Sequence, residues 1–247
     1  MTLAALYDIH GNLPALEAVL RDVRAAAADL VVVGGDVLPG PMPAEALDLL
    51  HALDLPVRYI RGNGERETLA AVDGLELTTV PAIYQPPVRW GAAQLRGDHI
   101  AGLRAWPATV EVDVGGLGPV LFCHATPRSD TEIVTRLTPD DRLAPAFASA
   151  TASHAVCGHT HMAFDRRLRG IRIMNAGSVG MPFGRPGAHW LLLDAGGPRF
   201  MHTPYELGAA AARIRATGYP DAEAFARDYV LNPPSENSML AAFGSSP

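Results

Sequence analysis

The sequence predicts an α/β fold built on two sheets, and three observations carry the prediction. Strand-like and helix-like segments alternate over the stretch 3–60, the pattern of right-handed crossovers in a parallel sheet. After residue 108 the pattern changes to paired strands across glycine-rich turns, the pattern of a second, largely antiparallel sheet packed on the first. Polar residues able to hold metal ions follow directly on the ends of the apolar strands, where ligands bind in open α/β sheets.

The elements follow in order. The first strand is the apolar run 3–7. Asn12 then offers a helix cap with Pro14 in the first turn, and Leu13, Leu16, Leu20 and Val23 recur at helical spacing. The β-branched run 30–33 is the second strand, and Gly34 and Gly35 let the chain turn before Asp36. A second helix over 44–53 and a third strand over 57–60 complete a β-α-β-α-β unit. From 66 to 108 the periodicity weakens at Pro81, Pro86 and Pro87, and this segment is expected to be an inserted cap over the site with two short helices. Strands 110–114 and 120–123 face each other across Gly115, Gly116 and Gly118. A helix over 140–149 and a short buried strand at 155–157 come next. Two more hairpins, 166–169 with 171–174 and 190–194 with 199–203, turn at Gly170 and at Gly196 and Gly197. Helices near 206–216 and 221–230 end the ordered chain. Residues 1–231 are therefore expected to form a single domain, and the tail 232–247 to be poorly ordered.

Composition bounds the function. The chain has 247 residues, of which 48% are hydrophobic and 19% charged, enough to bury a large core. A net charge of −6 argues against a broad nucleic-acid-binding surface, which needs clustered Lys and Arg to neutralise phosphates. No run is apolar and long enough to span a bilayer, and the first strand starts too early to leave room for a signal peptide. A cytoplasmic protein, monomeric or a small homo-oligomer, is the expectation. The two cysteines, Cys123 and Cys157, are too few for a disulfide framework and read as buried small hydrophobes.

The chemistry lies in seven donors: Asp8, His10, Asp36, Asn63, His124, His159 and His161. Asp8 and His10, two apart on an extended segment, would face the same way and grip one ion, and His159 and His161 repeat that spacing. Asp36 has two oxygens with which to bridge two ions, and Asn63 offers a neutral carbonyl. Mixed nitrogen and oxygen donors without a thiolate suit Mn, Fe, Zn or Ni better than Ca. Two such ions about 3.5–4 Å apart would clamp a phosphate and activate a bridging water for in-line attack.

The order Asp-x-His, Gly-Asp, Gly-Asn, His and Gly-His-x-His, running from Asp8 to His161, resembles the calcineurin-like metallophosphoesterase superfamily. The stretches 124–130 (His-Ala-Thr-Pro-Arg-Ser-Asp) and 175–180 (Asn-Ala-Gly-Ser-Val-Gly) are similar to those of its small bacterial and archaeal phosphodiesterase-like members. The resemblance implies a four-layer α/β/β/α sandwich of two mixed sheets flanked by helices. It implies one divalent ion on Asp8, His10, Asp36 and His161, and a second on Asp36, Asn63, His124 and His159, with Asp36, Asn63 and His124 as the catalytic positions.

One departure bears on substrate. Many superfamily phosphatases carry a histidine directly after the motif asparagine, and here that position is Gly64. A monoester with a poor alcohol leaving group needs such an acid most, so the expectation is a phosphodiesterase acting on a small nucleotide-like substrate. A phosphomonoesterase, a dinucleoside polyphosphate hydrolase and a catalytically silent binding scaffold are the alternatives. Candidate substrate contacts are Arg66, His99 and Arg128, with Glu65 beside them.

Overall fold

In a computed structural model, which describes residues 1–244, each of the two sheets has five strands. The first five elements are β1 (Leu3–Leu6), α1 (Leu13–Ala25), β2 (Leu30–Val33), α2 (Pro43–His51) and β3 (Val57–Tyr59). They form the expected parallel unit, with β1 beside β2 and β2 beside β3. Asn12 caps α1 by accepting from the Ala15 amide at 3.2 Å, supplying one of the acceptors that a helix N-terminus otherwise lacks.

The third hairpin corrects the residue-pattern reading. β9 (Ala188–Asp194) and β10 (Gly197–Thr203) belong to the first sheet, where β9 runs antiparallel to β1 with Leu3 opposite Leu193. Burial explains the placement. Trp190 and Leu192 pack on one face and Leu191 and Leu193 on the other, so β9 needs both its faces covered and fits beside the central β1. The second sheet is built from β4 (Thr109–Val114), β5 (Gly118–Cys123), β6 (His154–Cys157), β7 (Phe164–Leu168) and β8 (Ile171–Asn175) in the order β4-β5-β6-β8-β7. Its three central strands are parallel and its two edge strands antiparallel. Both sheets are thus mixed.

Alternation along the strands defines four layers. Leu3, Ala5 and Tyr7 point between the sheets toward Phe122, Val156 and Met174. Ala4 and Leu6 point the other way, onto Leu16, Leu20, Leu47 and Leu50 of α1 and α2. On the far side, Cys123 and Cys157 pack with Leu143 of α6 (Asp140–Ala146), and burial pushes both thiols up. They are core residues.

The segment 66–108 divides into two parts. It contains the end of α3 (Asn63–Val72), then α4 (Gln85–Ala93) and α5 (Gly97–Ala105). Leu103 of α5 and the following Trp106 join the core under the first sheet, so that half is an ordinary covering layer. Residues 79–88 instead wall a cleft over the strand ends.

At the C-terminus come α7 (Leu207–Arg215) and α8 (Ala222–Phe225), the latter running into a wider π-helical turn over Ala226–Leu231. The expectation of a poorly ordered tail fails for residues 236–244, which form α9 (Glu236–Gly244). Leu240 gives this helix an apolar anchor against Met162 and Phe183, and Glu236 pairs with Arg136 at 2.6 Å. Residues 245–247 of that predicted tail lie outside the described residues. Among the described residues no helix is long and apolar enough to cross a membrane.

Phe122 is fully buried between the sheets, and its truncation leaves a cavity both sheets are too rigid to fill. Phe122→Ala is expected to cost about 3–5 kcal/mol in urea unfolding, whereas Phe200→Ala on the exposed edge strand should stay within about 0.5 kcal/mol.

Candidate metal centre

Five loops bring the seven predicted donors together where the central strands of both sheets end. Five of the seven sit in the left-handed region: Asp8 (φ 53°), His10 (φ 47°), Asp36 (φ 52°), His159 (φ 66°) and His161 (φ 56°). The extended Asp8-Ile9-His10 segment expected from spacing is therefore a turn. Each such residue costs about 1–2 kcal/mol relative to its right-handed form, and non-glycine residues held this way concentrate at functional sites. Here the strain turns alternate side chains inward while Ile9 between them stays in the core.

Hydrogen bonds between the loops hold this conformation. The amides of Asp8, His10 and Gly11 donate to the carbonyls of Gly35, Asp36 and Val37 at 2.8–3.1 Å. The Asp8 carbonyl accepts from the Gly180 amide at 3.0 Å and the Ser178 hydroxyl at 2.8 Å. Asn175 donates to the Gly158 carbonyl at 2.6 Å, tying the stretch 175–180 to the His159 loop.

Glu65 is the anchor of the Asp36 loop. Its buried carboxylate accepts from four backbone amides, those of Asp36, Val37, Leu38 and Gly62, at 2.7–3.2 Å. Glu65 is therefore not a substrate contact as expected from its position beside Gly64: all its accepting capacity is spent on the two loops.

The imidazoles are held in one tautomer. Nδ1 of His10, His124 and His161 each faces a backbone carbonyl, of Pro39 at 3.2 Å, Gly34 at 3.0 Å and Met181 at 2.8 Å. Each carbonyl requires a proton on Nδ1, which leaves the Nε2 lone pair to a cation. His159 is fixed through its backbone instead, its amide donating to Asp8 Oδ2 at 2.9 Å.

The donors fall into two clusters, Asp8 with His10 and His161, and Asp36 with His124 and His159, each with ligand atoms within 4.8 Å of one another. Asp36 spans both: Oδ1 lies 3.4 Å from His124 Nε2, and Oδ2 lies 3.8 Å from His10 Nε2. The inward end of the Asn63 amide lies 3.1 Å from His159 Nδ1 and 3.2 Å from His124 Nε2.

Two features of the clusters fit a cation. Asp8 Oδ1 is buried without a hydrogen-bond partner, a costly state for a carboxylate oxygen. Nε2 of His10 and of His161 lie only 3.2 Å apart, and with both Nδ1 protons committed to carbonyls the neutral rings turn lone pairs toward each other. A cation between these atoms resolves both conflicts.

The electrostatics of these groups carry the same message. Burial alone would raise the Asp36 carboxyl, but the charge and hydrogen bond of His124 outweigh it and hold it well below the usual carboxylate range. Asp8 is likewise lowered, by His161 against burial. Burial and neighbouring imidazoles lower His10, and lower His159 to about 4. His124 goes the other way: burial opposes its charge, but Asp36 pushes it up to about 10. Without a cation, a proton on His124 compensates the carboxylates.

The remaining candidates separate. Arg66 and Arg128 line a groove that reaches His124, together with Arg61 and Asp130. Arg66 donates to Asp130 at 2.7 Å, and Arg128 pairs with Glu132. His99 does not join them: it is fully buried with Nε2 2.9 Å from Asp48, in the layer under the first sheet. Its loop-like sequence context concealed that burial. Gly64 is tighter than the motif comparison implied. A Cβ there would lie 2.0 Å from the Leu38 carbonyl oxygen, and the Gly64 amide donates to Asp36 Oδ1 at 2.7 Å. No side chain fits at this position without moving the Asp36 loop.

Motif reading missed a larger cleft of about 660 Å³ that opens over His10, Asp36, Asn63 and His159. Residues 79–88 wall one side and residues of the 219–229 stretch the other. The sequence shows only a helix over about 221–230 there, with no sign that it lines a cleft.

Comparison with known proteins agrees with this geometry. Residues 1–197 match the model of the calcineurin-like phosphoesterase superfamily domain. A metallophosphoesterase from Sphaerobacter thermophilus is similar, with TM-score 0.72 and 25% identity, covering 92% of this chain and 97% of that one. A hypothetical protein from Pyrococcus horikoshii OT3 shares the fold, with TM-score 0.79 and 20% identity over 95% of this chain and 99% of its own. An uncharacterised protein of Methanocaldococcus jannaschii is 25% identical over 181 residues, 72% of this chain and 69% of that protein.

Two outcomes are expected. Glu65→Ala should destabilise the protein by about 3 kcal/mol or more in urea, because four buried amides lose their acceptor, while Glu65→Gln should lose less. Because a cation must displace the His124 proton, Mn affinity by titration calorimetry should rise about tenfold per pH unit from about pH 6.5 to 9. A pH-independent affinity would contradict the assignment of that proton.

Proposed function

The chain belongs to the calcineurin-like phosphoesterase superfamily, and on that premise we propose that it is a phosphodiesterase with a dinuclear divalent-metal centre. One ion would be held by Asp8, His10 and His161, the other by Asn63, His124 and His159, with Asp36 between them. Mn, Fe, Zn and Ni suit this donor set. Bound there, such ions supply Lewis acidity toward the phosphate oxygens and a water nucleophile at neutral pH.

The observation that supports a diester is the presence of two clefts meeting at the donors. The larger one reaches His10, Asp36, Asn63 and His159, and the groove with Arg61, Arg66 and Arg128 reaches His124. A phosphodiester has two organic arms and would place one in each. A monoester would leave one cleft unused.

The chain's own groups favour the same class. Gly64 offers no side chain to protonate a leaving oxygen, and the space beside it is closed by the Leu38 carbonyl. Glu65, the next residue, is committed to backbone amides. A leaving group stable as an anion, such as an aryloxide or the phosphate of a nucleotide, needs less help than an alkoxide. Asp36 serves by orientation: the Gly64 amide fixes Oδ1, which leaves Oδ2 directed to the first cluster.

The Mn-loaded protein is expected to cleave bis-p-nitrophenyl phosphate faster than p-nitrophenyl phosphate, and Asp36→Asn to lose about 100-fold or more in kcat. A monoester that outpaces the diester would overturn the substrate class. Metal loading without hydrolysis of either ester would overturn the enzymatic reading.

A further inference from the structure

The larger cleft has a composition unusual for a phosphate-binding surface. Its aromatic residues are Tyr84, Tyr219, Phe225, Tyr229 and Phe243. Its charged residues beyond the metal cluster are Glu67, Asp221 and Asp228. No arginine lines it, and the chain contains no lysine. Anionic groups are ordinarily met by arginine, lysine or clustered amides.

One helix face builds this wall. Asp221, Ala224, Phe225, Asp228 and Tyr229 recur at helical spacing, and all five line the cleft. The stretch passes from α8 into the π-helical turn 226–231, a widened form frequent at functional sites. Phe225 stands 5.5 Å from Tyr229 and 6.0 Å edge-on to Tyr219, giving a ladder of three rings. Trp90 of α4 meets Tyr219 edge-on at 5.4 Å and joins the two walls. Tyr84, 53% exposed, lines the same cleft. The ladder lies beyond residue 197, outside the span matched by the family model.

Charge sets the second condition. Asp228 pairs with Arg227, and Glu67 lies 3.8 Å from Arg66. Among the described residues Asp221 pairs with no cation. The cleft is therefore apolar, aromatic and net negative, in contrast to the groove of three arginines that reaches His124.

We propose that the aromatic cleft binds a flat, uncharged ring, such as a nucleobase or aryl group, joined to the scissile phosphate with no second phosphate on that side. This rests on the phosphodiesterase reading above for the position of the phosphate. Stacking on the tyrosines supplies affinity, and Asp221, unpaired among the described residues, disfavours any further anion there.

Calorimetric binding of methyl phosphate, thymidine 5′-monophosphate and thymidine 5′-triphosphate to the Mn-loaded protein tests it. Thymidine monophosphate should bind about tenfold tighter than methyl phosphate, and Tyr84→Ala or Tyr229→Ala should remove that advantage. The monophosphate should also bind tighter than the triphosphate, and Asp221→Lys should shift that preference about tenfold toward the triphosphate. Equal binding of methyl and thymidine phosphates, or a triphosphate preferred by the unaltered protein, would overturn the proposal. Tyrosine-dependent thymidine binding in a protein that neither takes up Mn nor binds methyl phosphate would uphold the cleft and remove the metal-centred reading.

Discussion

Everything at the strand ends answers to one constraint: two carboxylates, Asp8 and Asp36, are buried where water cannot solvate their charge. A buried carboxylate is tolerated only with compensating charge or hydrogen bonds. Asp36 takes one from the Gly64 amide, but Asp8 Oδ1 takes none. Four imidazoles surround the pair, and three of them turn Nδ1 to a backbone carbonyl, which leaves Nε2 to face a cation. A site furnished with negative charge and lone pairs is stable only around positive charge. A divalent cation supplies more of it than the proton on His124 can.

Holding donors this close requires backbone that the sequence would not otherwise adopt. Five left-handed residues are kept in place by amide ladders between the loops and by Glu65, whose two oxygens collect four amides from two loops. Close approach of the α3 start to the Asp36 loop leaves no volume for a side chain at residue 64. The absent acid is thus a consequence of how tightly this loop pair packs. On the proposed reading it would narrow the esters that can be cut without any residue being devoted to selection.

The seven donors were legible in the sequence because each follows an apolar strand and because their order is that of a known family. The parallel unit β1 to β3 was legible for the same reason, as period-two and helical patterns are local. Left-handed backbone at Asp8 and His10 was not legible, since φ depends on the loops that grip the segment. His99 shows the same limit: whether a histidine in a broken pattern is exposed depends on Asp48, fifty-one residues earlier. Strand β9 was assigned to the wrong sheet because its partner β1 is remote in sequence. The 221–230 stretch is legible only as a helix, since its sequence does not show which face lines a cleft. Helix α9 was missed because its single buried residue, Leu240, gives little periodicity.

Function then follows from what meets at the donors. An aromatic, net-negative cleft and a groove of three arginines open from one buried cluster, so the two arms of a bound ester would meet different chemistry. The most direct measurement of the central claim is anomalous scattering from crystals of the protein soaked in Mn. Two peaks about 3.5–4 Å apart are predicted, one beside Asp8, His10 and His161 and one beside Asn63, His124 and His159, both within reach of Asp36. A single peak, or none with the His10 and His161 rings still facing each other, would contradict it.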